Sequence, residues 1–253
     1  MKYLTGLLLV ILASVPMSSV QAQDDDFLDI SIRIFTPASS SAAPVTYSSL
    51  PVTRPDDGTT PSLADTERSI SDDIRSAEAR YLSMYLRFRL EASGHYGAVR
   101  VMPDLDNGAH LKITGEVLES DGAVLRLALT VTDSTGSQWL SSLYEGEAVV
   151  AESLNEDTLA EEDFSQLFTR FLRDLDAQLA TRDAATLVRI RQMALLRYGQ
   201  GLVPDYFASY LTLNADGTAD ILRFPAQDDP LLTRISDIRE REYLFIDVVD
   251  EEY

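Results

Sequence analysis

Residues 109–144, AHLKITGEVLESDGAVLRLALTVTDSTGSQWLSSLY, alternate apolar and polar side chains in three runs separated by two turn sequences. Leu111, Ile113 and Val117 alternate with Lys112, Thr114 and Glu116; Leu125, Leu127, Leu129 and Val131 alternate with Arg126, Ala128, Thr130 and Thr132. Successive strand side chains point to opposite faces, so period two marks a strand buried on one side. Asp121-Gly122 predicts a type I′ turn, with positive φ at both positions. Asp133-Ser134-Thr135-Gly136 predicts a second turn with Gly136 left-handed, and Gln138 to Tyr144 a third strand. A lone hairpin is barely stable in water. The apolar face of this meander must therefore be covered from elsewhere in the chain.

Two segments can cover it. The spacing predicts a helix over 71–93, with Ser71 as N-cap, Asp72 and Asp73 in the first turn and Gly94 as the stop. One face carries Ile74, Ala77, Tyr81, Met84, Tyr85, Phe88 and Ala92. Leu82, Leu86 and Leu90 form a second, narrower stripe, the candidate partner-binding residues. Two stripes imply two neighbours, the sheet and another helical element. A second helix is expected from about 158 to 181, its strongest part at 161–180, with Phe164, Leu167, Phe168, Phe171, Leu172, Leu175 and Leu179 on one stripe.

The order is strand (Leu28 to Phe35), helix, strand (Ala98 to Met102), meander, helix. It specifies an α+β fold: a mixed sheet packed with two helices. Met1 to Ala22 reads as a cleaved signal peptide, with Lys2, the apolar run Leu7 to Ala13 and the small residues of Val20-Gln21-Ala22. Residues 23–182 form the α/β domain, with a disordered Pro/Ser/Thr-rich loop at 36–64. Residues 183–253 read as a helical extension: a helix at 184–198 stopped by Gly199 and Gly201, a short helix from Pro204 through Leu211, a turn at Asn214-Ala215-Asp216-Gly217, a short extended piece near Ile221, and a last helix from Pro230. No segment after the signal is expected to cross a membrane.

The chain has 253 residues, 45% hydrophobic and 25% charged, enough for a real core. Its net charge of −20 repels nucleic acid and anionic lipid. It has no cysteine, which removes thiol catalysis and thiolate metal sites and suits an exported bacterial protein. His95 reads as a turn or capping residue and His110 as a solvent-facing or edge residue. A Ser120, His110, Asp121 set lacks any nucleophile elbow. Glu116, Glu119 and Asp121 are the local candidates for two-carboxylate hydrolysis, although strand period puts Glu116 and Glu119 on opposite faces. Asp104-Leu105-Asp106-Asn107-Gly108 and Asn214-Ala215-Asp216-Gly217 fall short of a calcium loop and read as acidic turns. No cofactor, metal ligand set or catalytic set is implied.

Several local features carry a resemblance to the N-terminal domain of the Tol-Pal translocation protein TolB. These are Ile34-Phe35 ending the first strand; Leu90, Ser93, Gly94 and Tyr96 ending the first helix; and Ala109, Leu111, Ile113, Gly115, Val117, Asp121-Gly122, Leu127, Leu129, Val131, Asp133 and Gly136 in the meander. The layout is also similar to periplasmic domains of the curli secretion protein CsgG and LpoB-type regulators of peptidoglycan synthases. The resemblance covers 27–181 and implies an α/β fold and a periplasmic, cell-envelope location. The functional expectation is a non-catalytic adaptor that binds other envelope proteins, the alternative a periplasmic two-carboxylate hydrolase acting on cell-wall polymer.

Overall fold

A computed structural model describes residues 27–37, 63–104, 107–121, 123–147, 164–226 and 228–251. The signal segment, most of the 36–64 loop, Gly122 and residues 148–163 lie outside them. The fold is α+β, built on a five-stranded mixed sheet in the order β2-β1-β3-β4-β5. The strands are β1 (Ile30–Arg33), β2 (Val99–Met102), β3 (Leu111–Ser120), β4 (Val124–Asp133) and β5 (Gln138–Glu147). β1 lies inside the β2 edge and runs parallel to both neighbours, with Ile30 opposite Val99 and Leu111. β3, β4 and β5 form the expected antiparallel meander. Its alternation is clean: Leu125, Leu127, Leu129 and Val131 are buried while the residues between them are partly exposed. Gly136 takes φ +87° in the second turn. The first turn is not type I′, because Asp121 does not adopt positive φ. Its carboxylate instead accepts the Ala123 and Val124 N–H groups, each at 2.8 Å.

Helices α1 (Leu63–Ser93) and α2 (Ser165–Ala180) cover one face of the sheet. The helix begins at Leu63, so Ser71 lies inside it and is not its cap. The stripe assignment is also reversed. Leu82, Leu86 and Leu90 are 6%, 0% and 0% exposed and pack against the sheet, whereas Ile74, Tyr81, Met84 and Phe88 are 59%, 60%, 40% and 61% exposed. The reason lies in the neighbours of the leucines. Ala79 and Ser83 share their face and are fully buried, so α1 approaches the sheet closely. The Ser83 hydroxyl accepts the Phe35 N–H at 2.9 Å, satisfying a backbone donor at the end of β1. Gly115 lets the Phe35 ring lie against β3, since a Cβ there would lie 2.5 Å from it.

The chain continues through α3 (Ala184–Leu202), α4 (Pro204–Phe207), the hairpin of β6 (Leu211–Leu213) and β7 (Ala219–Ile221), and α5 (Pro230–Glu251). The extension thus holds a small antiparallel sheet as well as helices. Asp183 caps α3, accepting the Thr186 N–H at 2.7 Å. Gly199 and Gly201 do not stop α3; it runs through both. Gly199 serves close packing, because a Cβ there would sit 2.5 Å from the Phe207 ring. Ile190 joins the core of the large sheet, while Leu196, Tyr198, Phe207, Leu211, Leu232 and Ile235 form a second cluster. The two meet at the β4–β5 turn: Ser134 Oγ donates to the Ile190 carbonyl at 2.6 Å, and the Ala219 N–H donates to the Thr135 carbonyl at 2.7 Å.

Candidate functional site

The possible catalytic residues are dispersed or engaged in structural bonds. His110 is buried rather than solvent-facing, and its Nδ1 accepts the Asp29 N–H at 2.9 Å. It precedes β3, while Ser120 ends that strand, about 30 Å away at strand rise. The Ser120 hydroxyl donates to Glu78 of α1. Ser120, His110 and Asp121 therefore do not assemble. A bulge between Val117 and Glu119 places Glu119 opposite Arg126, as Glu116 lies opposite Ala128. Both glutamates consequently share one face, contrary to the simple period. Glu119 is bound to Arg126 at 2.5 Å, and Arg126 also holds Glu145 at 2.8 Å; the guanidinium pulls the Glu145 carboxyl below its ordinary range.

His95 follows Gly94, whose φ of +67° ends α1. Its Nδ1 lies 3.0 Å from Asp176, which also accepts the Tyr96 hydroxyl at 2.8 Å. Burial, then Asp176, pushes the Tyr96 phenol up. This triplet ties the end of α1 to α2. Asp133 is a buried hub: it accepts the Thr135 N–H at 2.8 Å, the Ser137 N–H at 3.2 Å and the Trp139 indole N–H at 2.9 Å. Of the two acidic turns, Asn107 accepts the Lys112 ammonium at 3.3 Å and Asp216 accepts the Thr218 N–H at 3.0 Å. Among the described residues, no group of three or more His, Asp or Glu side chains is placed to hold a metal.

Lys112 looks outward in the sequence but is buried in the structure. Together with Ser31 and Arg100 it makes a polar row across β3, β1 and β2 on the face away from α1. The C-terminal half of α5 lies over this row. Asp247 accepts two hydrogen bonds from Arg100, both 2.8 Å, and the Arg100 guanidinium stacks 4.1 Å from the Tyr243 ring centroid.

Besides the exposed Leu244, Phe245 and Val248 of α5, two solvent-facing features stand out among the described residues. The first is the outer face of α1. Ile74, Ala77, Tyr81, Met84 and Phe88 recur at three and four residues, opposite the leucines, along about 21 Å of helix. Arg80 and Arg87 flank it, the latter bonded to Glu91 at 2.9 Å. The second is a cleft of about 790 Å³ between the end of β5 and α2, lined by Tyr144, Glu145, Glu147, Phe164, Leu167 and Arg170 among others. Burial, then Asp174, pushes the Tyr144 phenol up. The expected partner residues Leu82, Leu86 and Leu90 lie at neither feature. Sequence reasoning found the outward stripe of α1 but assigned it to the sheet.

No protein-family model matches the chain, and no curated protein matches it in sequence. Two solved bacterial structures are similar over part of it. The Xanthomonas campestris protein XCC0632, of family DUF330, is 14% identical; the match covers 64% of this chain and 93% of that one, with a TM-score of 0.33. The hypothetical protein CT253 of Chlamydia trachomatis is 9% identical over 61% of this chain and 99% of that one, with a TM-score of 0.33. Among the described residues, no helix is long and apolar enough to cross a membrane.

Proposed function

We propose that the protein is an exported adaptor of the bacterial cell envelope, which holds another envelope protein against the outer face of α1. The observation that carries this reading is the stripe Ile74, Tyr81, Met84 and Phe88, large side chains aimed at solvent on a helix whose opposite face is already buried. An apolar strip of this length on a charged surface is a mark of an interaction site. Its three-and-four spacing suits a partner helix of the same period. Arg80 on one flank favours a partner with an acidic residue beside its apolar seam, while Arg87 is held by Glu91. The signal-like start of the chain supports export, and its charge disfavours nucleic acid.

The test is site-specific photocrosslinking in the native envelope. A crosslinker in place of Phe88 should give one defined adduct, lost on Tyr81→Ser, while the same group in place of exposed Ser76 gives none. Equal adducts at both positions, or none at either, would sink the adaptor reading. N-terminal sequencing of the mature protein should begin at Gln23; a retained Met1 would rule out the cleaved signal.

A further inference from the structure

β5 ends the sheet, so its outer edge has no strand partner among the described residues. The direction of its backbone groups follows from the hairpin. The Asp133 N–H donates to the Ser137 carbonyl at 3.0 Å, so the odd residues of β4 point toward β5. Across the regular part of the ladder these odd residues face Leu140, Ser142, Tyr144 and Gly146. In an antiparallel pair a residue's N–H and C=O point the same way. Ser141, Leu143, Glu145 and Glu147 therefore direct both groups outward. One observation checks this: the Arg170 guanidinium of α2 donates to the Glu145 carbonyl.

Proteins usually blunt such an edge with a bulge, a charge or a covering element. Here the register shift lies at the far end, between Val131 and Thr132, and leaves 141–147 regular. The cleft runs along this regular part, with α2 as its other wall. Gly146 keeps the walls close, since a Cβ there would lie 3.3 Å from both Leu167 and Phe164. Phe164 gives the α2 side an apolar spot beside the polar Gln166, Arg170 and Asp174, whereas Glu145 and Glu147 project on the opposite face of β5.

We infer that this edge binds an extended, basic segment of another protein by strand addition. The segment extends the sheet beyond β5 through the outward groups of 141–147. Its side chains alternate: apolar ones enter the cleft against the half-buried Phe164, and lysines or arginines face Glu147, next to the Glu145–Arg126 pair. The net charge of −20 draws a basic strand toward this rim. The same charge disfavours a second copy, which would set one acidic rim against another. Arg170 competes for the Glu145 carbonyl and so sets the threshold for entry. This surface lies apart from the α1 stripe and does not rest on it.

Fluorescence anisotropy with labelled synthetic peptides tests the inference. A peptide alternating lysine and valine should bind at least about tenfold tighter than one alternating glutamate and valine, and than one alternating lysine and proline, which carries the charge but cannot form a strand. Leu143→Pro removes an outward N–H that β4 does not use; it should abolish binding while far-UV circular dichroism stays unchanged. Should that variant misfold, Glu147→Lys reads the same site and should weaken the lysine peptide without changing the melting temperature. Arg170→Ala should tighten binding severalfold. Equal binding of the lysine–valine and lysine–proline peptides would mean general charge attraction and overturn strand addition. So would binding that survives both the Leu143→Pro and Glu147→Lys variants, or a dimer of the unliganded protein that Leu143→Pro dissociates.

Discussion

α1 and the C-terminal half of α5 lie on opposite faces of one sheet and are attached by opposite means. α1 turns leucines, Ala79 and Ser83 inward. α5 turns Tyr243 and Asp247 inward, onto Arg100, and leaves Leu244, Phe245 and Val248 exposed at 58%, 70% and 58%. Apolar burial is strong and non-directional, so it holds α1 without prescribing its angle in detail. The Arg100 contact is directional: two parallel hydrogen bonds and a stacked ring fix the register of α5 on β2. It also adds less stability, because Asp247 is more than a third exposed and water screens the pair. One sheet thus carries a helix that is part of its core and a helix end that is pinned to it.

Mutations separate the two attachments. Leu127→Asp places an unpaired charge beneath the helices; the loss should exceed about 4 kcal/mol and abolish the cooperative urea transition of the whole sheet. Leu86→Ala should cost about 2–5 kcal/mol in the same measurement, with the transition still cooperative. Arg100→Ala should lower global stability by only about 1 kcal/mol. Its main effect should be local, with faster hydrogen exchange at 239–249 while 82–90 stays protected. Uniform acceleration in both segments would show that α5 is as much a part of the core as α1.

Acidification should give the smallest effect and also favour loss at the α5 side. The Asp229 carboxyl is held below its ordinary 3.8 by the Tyr206 hydroxyl and the Leu231 and Leu232 N–H groups at the start of α5. Asp183 is lowered by Thr186 at the start of α3. Depressed carboxyl values mean stabilisation present above pH 3.8 and lost as pH falls through the lower folded values. Hydrogen exchange below pH 3.8 should therefore rise first at the N-termini of α3 and α5. Earlier opening of α1 would contradict the contrast between the two faces.

The meander was legible because period two is unambiguous over three long runs and because Gly136 does need left-handed backbone, as Gly94 does at the end of α1. The orientation of α1 was not. Both its stripes are apolar, and the broader, aromatic one looks like the natural core face; what decides is the small Ala79 and Ser83 beside the leucines. Gly199 reads as a helix stop only until Phe207 is seen against it. β6 and β7, three residues each, are too short to show a period. His110 and Lys112 look like surface residues because their burial comes from partners distant in sequence or from the fold around them. Of the two surface features, the outward stripe of α1 shows in the sequence, whereas the edge of β5 appears only once strand order is known.

The position of β1 between β2 and β3 has a consequence for the order of assembly. Its ladder partners, Val99–Met102 and Leu111–Ile113, follow it by roughly seventy to eighty residues. The meander, by contrast, needs only tight turns, and short loops close quickly while long ones close late. β3, β4 and β5 should therefore form first as a nascent sheet, with β1 arriving afterwards to bridge it to β2. Until then Leu111 and Ile113 sit on an open strand edge. The span of the chain that most needs protection from misassociation during folding is thus the start of β3, a place that is wholly interior in the finished protein.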